Sequence, residues 1–176
     1  MIPKLDEFLA GIAIGIRFNP NFSISDKVGS ITDRILYSKD SLFNPTVFPR
    51  VRSNQPGQQI LYNDSNDDKM VIENTDLVLE LGVGEGYQFS LSDIEKVLAA
   101  YEGQIIKGVL NEFGITRIVR LGFIRRYLFT DDNLINSFLD KSSRGNIKNI
   151  KDLQLRFSKK IPVEESIAQS DINNFD

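Results

Sequence analysis

Basic side chains crowd two segments in the C-terminal part of the chain, 115–129 and 152–161. Guanidinium and ammonium groups pair with carboxylates and phosphates, so this density of basic residues is typical of a surface that binds an anionic partner. Aromatic residues alternate with them, as on sheet surfaces that stack the bases of single-stranded nucleic acid. The residues concerned are Arg117, Arg120, Arg125, Arg126, Arg156, Lys159 and Lys160, with Phe123, Tyr127 and Phe129 between them.

Alternation with a period of two across 115–129 predicts a long strand whose two faces differ. Arg120 and Arg126 are expected on the open face, and Arg117 and Arg125 near the strand ends or against carboxylates of the first half. A straight strand of this length would span roughly 50 Å, so we expect a bulge or bend at Gly122. The more apolar, odd-numbered set is expected to face the core: Val119, Leu121, Phe123, Tyr127 and Phe129. The candidate partner- or anion-binding residues are therefore Arg120, Arg126, Arg156, Lys159 and Lys160.

A glycine-rich motif occupies residues 77–86, which read Leu-Val-Leu-Glu-Leu-Gly-Val-Gly-Glu-Gly. The motif looks like the first motif of S-adenosylmethionine-dependent methyltransferases, in which glycines let the backbone approach the cofactor. A doubly wound fold needs several more βαβ units, whereas only 90 residues follow Gly86 and no second strand ends in an acidic ribose-binding residue. We therefore expect the glycine turn to be structural, with no cofactor, and the methyltransferase remains the least favoured function.

The chain contains no histidine and no cysteine. Their absence excludes thiol nucleophiles, Ser-His and Cys-His triads, and zinc sites built from thiolate or imidazole ligands. Asp64, Asp67 and Asp68 cluster in one turn, but they lack the glycine and the terminal glutamate of a calcium loop, and a solvated hairpin tip is expected instead. The sequence predicts no catalytic residue and no metal site, and an acid/base pair assembled by the fold stays open.

Length and composition place the chain among ordinary globular proteins, with 176 residues of which 41% are hydrophobic and 26% charged. Residues 1–114 hold 10 basic and 16 acidic residues, whereas residues 115–162 hold 11 and 4. This asymmetry indicates either an anionic partner or two halves that fold together and offset each other's charge. No signal peptide or membrane-spanning run is visible, and the lack of cysteine fits a reducing compartment, so we expect a cytoplasmic protein with no membrane partner.

Hydrophobic periodicity and turn residues predict the element order β-α-β-β-β-β-α-β-α-β. In the first strand, 8–18, the even-numbered residues from Ile12 to Phe18 are expected to face the core. The first helix is expected to begin at Ser25. The second, 92–113, is expected to open at Ser90 or at Ser92, with Glu95 completing a capping box with Ser92, and to end at Gly114. Further strands are predicted near 50–53, 59–63, 70–73, 76–82, 115–129 and 152–161, and a short helix near 132–139.

Hairpin strands grouped between two helices predict an α+β fold, in which a mostly antiparallel sheet carries two principal helices. We expect a single domain over residues 1–162. The acidic polar segment 163–176 is expected either to be disordered or to begin a further part of the fold.

The segment from Ile115 to Tyr127 resembles the arginine-apolar-Gly-apolar-Arg-Tyr signature of a sporadically distributed family of uncharacterised bacterial proteins. An early Arg-Phe-x-Pro strand end, here Arg17 to Pro20, and a long helix before the signature strand belong to the same resemblance. The chain departs from the pattern in having two arginines, Arg125 and Arg126, before the tyrosine. The resemblance implies the same order of elements and a bacterial source, and it implies no catalytic residue.

These observations predict a non-enzymatic binding or assembly module that acts through a surface, with another protein or a second copy of the chain as partner. The alternative is a nucleic-acid-binding domain that uses the basic strands 115–129 and 152–161.

Overall fold

The computed structural model describes residues 8–128. They form a six-stranded sheet in which every pair of neighbouring strands is antiparallel. The strands are β1 (Leu9–Phe18), β2 (Arg50–Arg52), β3 (Gln59–Asn63), β4 (Asp68–Ile72), β5 (Asp76–Gly82) and β6 (Ile118–Tyr127). The predicted α+β class and the mostly antiparallel sheet are confirmed.

Two helical segments connect strands of this sheet. Helix α1 (Phe22–Tyr37) follows β1, and a longer helical segment precedes β6. That segment consists of a 3₁₀ turn (Leu91–Asp93), α2 (Ile94–Ala100), a π-helical stretch (Tyr101–Lys107) and α3 (Gly108–Glu112). The predicted helix near 132–139 and the predicted strand 152–161 lie outside the described residues.

The strand order is β2-β3-β4-β5-β1-β6, so the first strand lies between the last two. If β2 and β3 are left out, the elements follow the order β1-α1-β4-β5-α2/α3-β6. This is the element order of β-α-β-β-α-β domains, in which another strand lies between the two strands of each β-α-β unit. This topology brings β1 and β6, about a hundred residues apart in sequence, into adjacent positions. It therefore places Arg17 and Arg120 opposite each other on adjacent strands.

The hydrophobic core lies between one face of the sheet and the helices. In β1, Ile12, Ile14, Ile16 and Phe18 are buried, which confirms the predicted core face of this strand. Tyr101 is buried in the helical layer, and its hydroxyl donates a hydrogen bond of 2.6 Å to the carbonyl oxygen of Leu77. The helical layer contributes Ile24, Ile31, Ile35, Leu36, Ile94, Val97, Tyr101, Ile105, Val109 and Leu110 to the core.

The helix caps differ in part from those predicted. Asn21, rather than Ser25, caps α1, because its side-chain oxygen accepts the Ser23 backbone N–H at 3.1 Å while its amide donates to the Phe113 carbonyl. The second helical segment opens at Ser90, one of the two predicted residues, and its capping box consists of Ser90 and Asp93 rather than Ser92 and Glu95. Gly114 ends α3 with a φ of 60°, as predicted.

The predicted bulge at Gly122 is wrong. Pairing between β1 and β6 is regular from Gly11–Arg126 to Arg17–Arg120, and the two irregularities lie at the ends of the strand pair. The strand has 10 residues instead of the 15 predicted, so both ends fit against β1 without a bend. No helix in the described part of the chain is long and apolar enough to cross a membrane.

Candidate functional site: the open face of the sheet

The face of the sheet opposite the helices carries most of its charged side chains, and we call its part on β4, β5, β1 and β6 the open face. Its members follow from the registers, because residues paired across antiparallel strands share a face. The open face consists of Lys69, Val71, Asp76, Val78, Glu80, Gly82, Gly11, Ala13, Gly15, Arg17, Arg120, Gly122, Ile124 and Arg126. Arg120 and Arg126 therefore lie on the face predicted for them, and both are exposed.

Two arginines meet at one end of the open face. Arg17 on β1 is directly opposite Arg120 on β6. Asp76 pairs with Arg17, whose Nε donates to Oδ1 at 2.7 Å, and this carboxylate raises the pKa of the Arg17 side chain. Within residues 8–128, Arg120 makes neither an ion pair nor a side-chain hydrogen bond. Like charges directly opposite each other destabilise a sheet. Asp76 and, more weakly, Glu73 offset the charge of Arg17, so Arg120 is the less compensated of the two arginines.

Arg126 lies at the other end and has a carboxylate neighbour. Its Nη1 is 3.7 Å from Oε2 of Glu80, whose Oε1 is 3.1 Å from Nζ of Lys69. The guanidinium group lies over Gly11, where a Cβ atom would come within 3.0 Å of its nitrogens. Because this ion pair also fixes the local structure, Arg126 is less available to a partner than Arg120.

Between the two ends, β1 contributes only small residues to the open face, whereas Ile124 on β6 and Val78 on β5 are larger. Gly15 pairs with Gly122 on β6, and Ala13 is the next open-face residue along β1. A Cβ atom at Gly122 would have the Gly15 carbonyl oxygen, 3.9 Å away, as its nearest neighbour. The middle of β1 therefore carries no large side chain on this face, and the charged side chains lie at both ends of the face.

No aromatic side chain belongs to the open face as defined above. Two aromatic residues lie on the same side of the sheet. The Tyr87 ring covers Gly82, which pairs with Gly11, and Tyr62 on β3 has the guanidinium carbon of Arg52 4.7 Å from its ring centroid. Phe123, one of the aromatic residues expected to alternate with the arginines, lies on the helix side, opposite Ile14. The structure therefore separates the aromatic residue from Arg120 and Arg126.

Part of the apolar side of β6 is exposed, contrary to prediction. Tyr127 packs against the core as predicted, and Phe129 lies outside the described residues. Leu121 and Phe123 lie opposite the buried Ile16 and Ile14, so they are on the core side of the sheet, yet they are 62% and 39% exposed. Val119 is 56% exposed beside the irregular end of the strand pair. Alternation predicted the correct side but not burial, because the helical layer described here extends over β1 and not over β6.

The other two predicted arginines take different positions. Arg117 is exposed and precedes β6, as expected for a residue near the strand end. Arg125 lies on the helix side, and its guanidinium carbon is 5.7 Å from the ring centroid of Phe123. The three remaining candidates, Arg156, Lys159 and Lys160, lie outside the described residues. Arg17 and Lys69 also belong to the open face, although the sequence did not predict them as binding residues. The alternation in β1 placed Arg17 on the side opposite the core, but it could not show that β6 lies next to β1.

The glycine-rich turn after β5 has no adjoining parallel strand, because β5 is antiparallel to both of its neighbours. Gly84 and Gly86 have positive φ values of 120° and 84°, and the Tyr87 ring occupies the space where Gly82 would carry a Cβ atom. These contacts account for the glycines by the geometry of the turn. They support the structural interpretation of the motif.

The sequence predicted that Asp68 belongs to a solvated hairpin tip. Asp68 is instead fully buried at the start of β4. Its Oδ1 accepts the backbone N–H of Gly82 at 2.6 Å, whereas Oδ2 is buried without a hydrogen-bond partner. Burial raises its pKa to about 6, against the opposing effects of the Gly82 and Asn66 hydrogen bonds and of Arg126. Within residues 8–128, no group of three or more acidic side chains could hold a metal ion.

Comparison of the chain with protein-family models, with curated proteins and with solved structures gives no match. The family resemblance of the Arg17–Pro20 and Ile115–Tyr127 segments stays a prediction.

Proposed function

We propose that this protein is a binding module that engages an acidic segment of a partner protein across the open face. The observation that carries the proposal is the pairing of Arg17 with Arg120, two arginines directly opposite each other, of which only Arg17 has an ion pair, with Asp76 on β5, among residues 8–128. An uncompensated guanidinium group at a sheet surface costs stability in the free protein. A partner carboxylate would remove that repulsion and form charge-assisted hydrogen bonds with the guanidinium fork.

The shape of the face supports an extended partner segment. Arg120 and Arg126 are six residues apart on one strand, a separation of about 20 Å. Between them, Gly15 and Gly122 leave the backbone close to the surface. An extended acidic peptide fits this arrangement, with one carboxylate at the Arg17–Arg120 end and another near Arg126.

Nucleic acid is the second candidate, and the open face supports it less well. Single-stranded nucleic acid is bound by aromatic side chains that stack on bases within a positive groove. The strand residues of the open face include no aromatic residue, the one ring against it is Tyr87 over Gly82 at the Arg126 end, and Glu80 and Asp76 would repel phosphates. An acidic peptide meets the same two carboxylates, but it does not need stacking platforms.

The proposal includes a cytoplasmic location and a non-enzymatic role. The absence of cysteine fits a reducing compartment. The charged groups of the open face pair with one another or stand at its ends, and none adjoins a nucleophile held by a base.

Two labelled probes of equal length distinguish the candidates. Fluorescence anisotropy of a decaglutamate peptide and of an oligothymidylate of the same length is measured with the full chain at low ionic strength. We expect tighter binding of the peptide, with an affinity that falls as salt is added. Tighter binding of the oligonucleotide would mean that the partner is nucleic acid rather than a protein. No binding of either probe would contradict the proposed function.

A further inference from the structure

A cavity of about 260 Å³ lies between the end of α1 and the π-helical stretch. At about 30 Å³ for each water molecule of the liquid, this volume equals roughly nine waters, which is room for a small organic molecule. Helices that contain a π turn often have it at a functional site. The polar side chains of the lining belong to Arg34, Ser38, Lys39 and Gln104, and Gly103 and Gly108 lie beside them.

Two glycines leave the space in this cavity. Gly103 and Gly108 are five residues apart, which is the hydrogen-bond spacing of a π-helix, and a Cβ atom at Gly108 would lie 3.7 Å from the Gly103 carbonyl oxygen. That Cβ atom would make only ordinary contacts, and one at Gly103 would meet no atom within 4 Å, so packing requires neither glycine. Because a glycine inside a helix is less stable than an alanine, the two glycines keep open a space beside Arg34 at a cost in stability.

The polar groups of the cavity that have spare hydrogen-bonding capacity are mainly donors. The Arg34 guanidinium group donates to Glu112 and, at 3.4 Å, to a backbone carbonyl, which leaves three of its five N–H groups. Lys39 is exposed and makes neither an ion pair nor a side-chain hydrogen bond with any of residues 8–128. Oε1 of Gln104 already accepts a hydroxyl group at 3.1 Å, so the amide N–H groups remain. No acidic residue of the described part of the chain lines the cavity, so these donors favour an anion.

The carbonyl groups at the end of α1 would oppose an anion, but two of them beside the cavity are occupied. The Arg34 carbonyl oxygen accepts the Ser38 backbone N–H at 3.1 Å and the Ser38 hydroxyl at 2.5 Å. The Ile35 carbonyl oxygen accepts the Ser41 hydroxyl at 2.5 Å. These bonds reduce the negative potential that the C-terminus of a helix otherwise presents, so the end of α1 is compatible with a bound anion.

We propose that this cavity binds a small phosphate ester, whose phosphate group is held by Arg34 and Lys39 and whose organic part lies over Gly103 and Gly108. A guanidinium group forms paired hydrogen bonds with phosphate oxygens, and a lysine adds a compact positive charge. The Gln104 amide donates to a further oxygen of the ester. The cavity lies in the helical layer, on the other side of the sheet from the open face, so the proposal does not depend on the function of that face.

Two phosphate esters and their uncharged parents test the ligand class. The probes are ribose 5-phosphate and glycerol 3-phosphate, and ribose and glycerol are their matched controls. Isothermal titration calorimetry of the full chain at low ionic strength measures all four. We expect at least one ester to bind, neither parent to bind, and the affinity for the ester to fall as salt is added. If neither ester binds at millimolar concentration, or if a parent binds as tightly as its ester, the proposal is wrong.

Two pairs of variants test the place of binding. Lys39→Gln removes a cation of the cavity, and Lys96→Gln removes an exposed lysine elsewhere in the helical layer. Gly108→Leu fills the cavity, and Gly29→Leu adds the same side chain at an unobstructed position of α1. After circular dichroism has shown that the variants are folded, we expect Lys39→Gln and Gly108→Leu each to weaken binding at least about fivefold relative to its control. Equal affinities of Lys39→Gln and Lys96→Gln would overturn the proposal, whatever the glycine variants show.

Discussion

Arg17 and Arg120 lie directly opposite each other on β1 and β6, and only Arg17 has a carboxylate partner among the described residues. The pair is a like-charge contact in a sheet whose other open-face cations, Lys69 and Arg126, are both near Glu80. Such a contact reduces the stability of the free protein and suits an anionic partner.

Removal of the charge at position 120 should not destabilise the fold. Arg120→Thr keeps a residue that favours strands and removes the repulsion from Arg17, so we expect the free energy of unfolding to stay equal or to rise by up to about 1 kcal/mol. Urea denaturation measures this change. A loss of more than about 1 kcal/mol would mean that Arg120 stabilises the fold, and the open face would lose its principal binding residue.

Asp68 should make stability fall as pH rises from about 4 to about 6. Its pKa is about 6 in the folded protein and about 3.9 in an unfolded chain, so the folded state binds the proton more tightly. The stabilisation is complete below pH 4 and is lost through pH 6, a change of up to about 3 kcal/mol.

Substitution isolates this contribution. Asp68→Asn keeps an oxygen that can accept the Gly82 N–H but cannot ionise, so the variant should be less dependent on pH between 4 and 6 and more stable than the wild type at pH 7.5. Asp33→Asn, at an exposed position of α1, is the control and should follow the wild-type profile. The prediction fails if the profiles of Asp68→Asn and the wild type are parallel.

Two glycines on the same strand and face should differ in tolerance. A Cβ atom at Gly11 would lie 2.8 Å from the Leu81 carbonyl oxygen and 3.0 Å from the Arg126 guanidinium group, whereas at Gly15 the nearest atom is a Val78 methyl at 3.5 Å. We expect Gly11→Ala to lower stability by about 1–3 kcal/mol and Gly15→Ala to be near neutral. Thermal denaturation of both variants checks this, and equal Tm values would show that the strand relaxes around the added methyl group.

Local patterns predicted much of the fold because they record local physics. Alternation in β1 identified its buried side, and Gly114 ended the helix where a positive φ was needed. The π-helical stretch also has a signal in the sequence. Val97, Tyr101, Ile105 and Val109 recur every four residues, more than the 3.6 of an α-helix, and a widened turn keeps all four buried.

What the sequence could not predict depends on contacts between distant segments. Asp68 belongs to a polar cluster typical of a turn, and only the packing of β4 beside Gly82 buries it. Asn21 and Ser25 are both good capping residues, and the tertiary bond from Asn21 to Phe113 favours the first. In the candidate site, Arg120 was predicted from its own strand, whereas its relation to Arg17 required the strand order.

The affinity of charge-reversed variants for the decaglutamate peptide tests the central claim most directly. Arg120→Glu removes the open-face guanidinium group that has no ion pair among residues 8–128, and Lys96→Glu makes the same charge change at an exposed position in the helical layer. We predict that Arg120→Glu weakens binding at least about fivefold relative to Lys96→Glu, a difference of about 1 kcal/mol, with both variants as stable as the wild type. Equal affinities for the two variants would show that net charge alone attracts the peptide, and would contradict an open-face binding site.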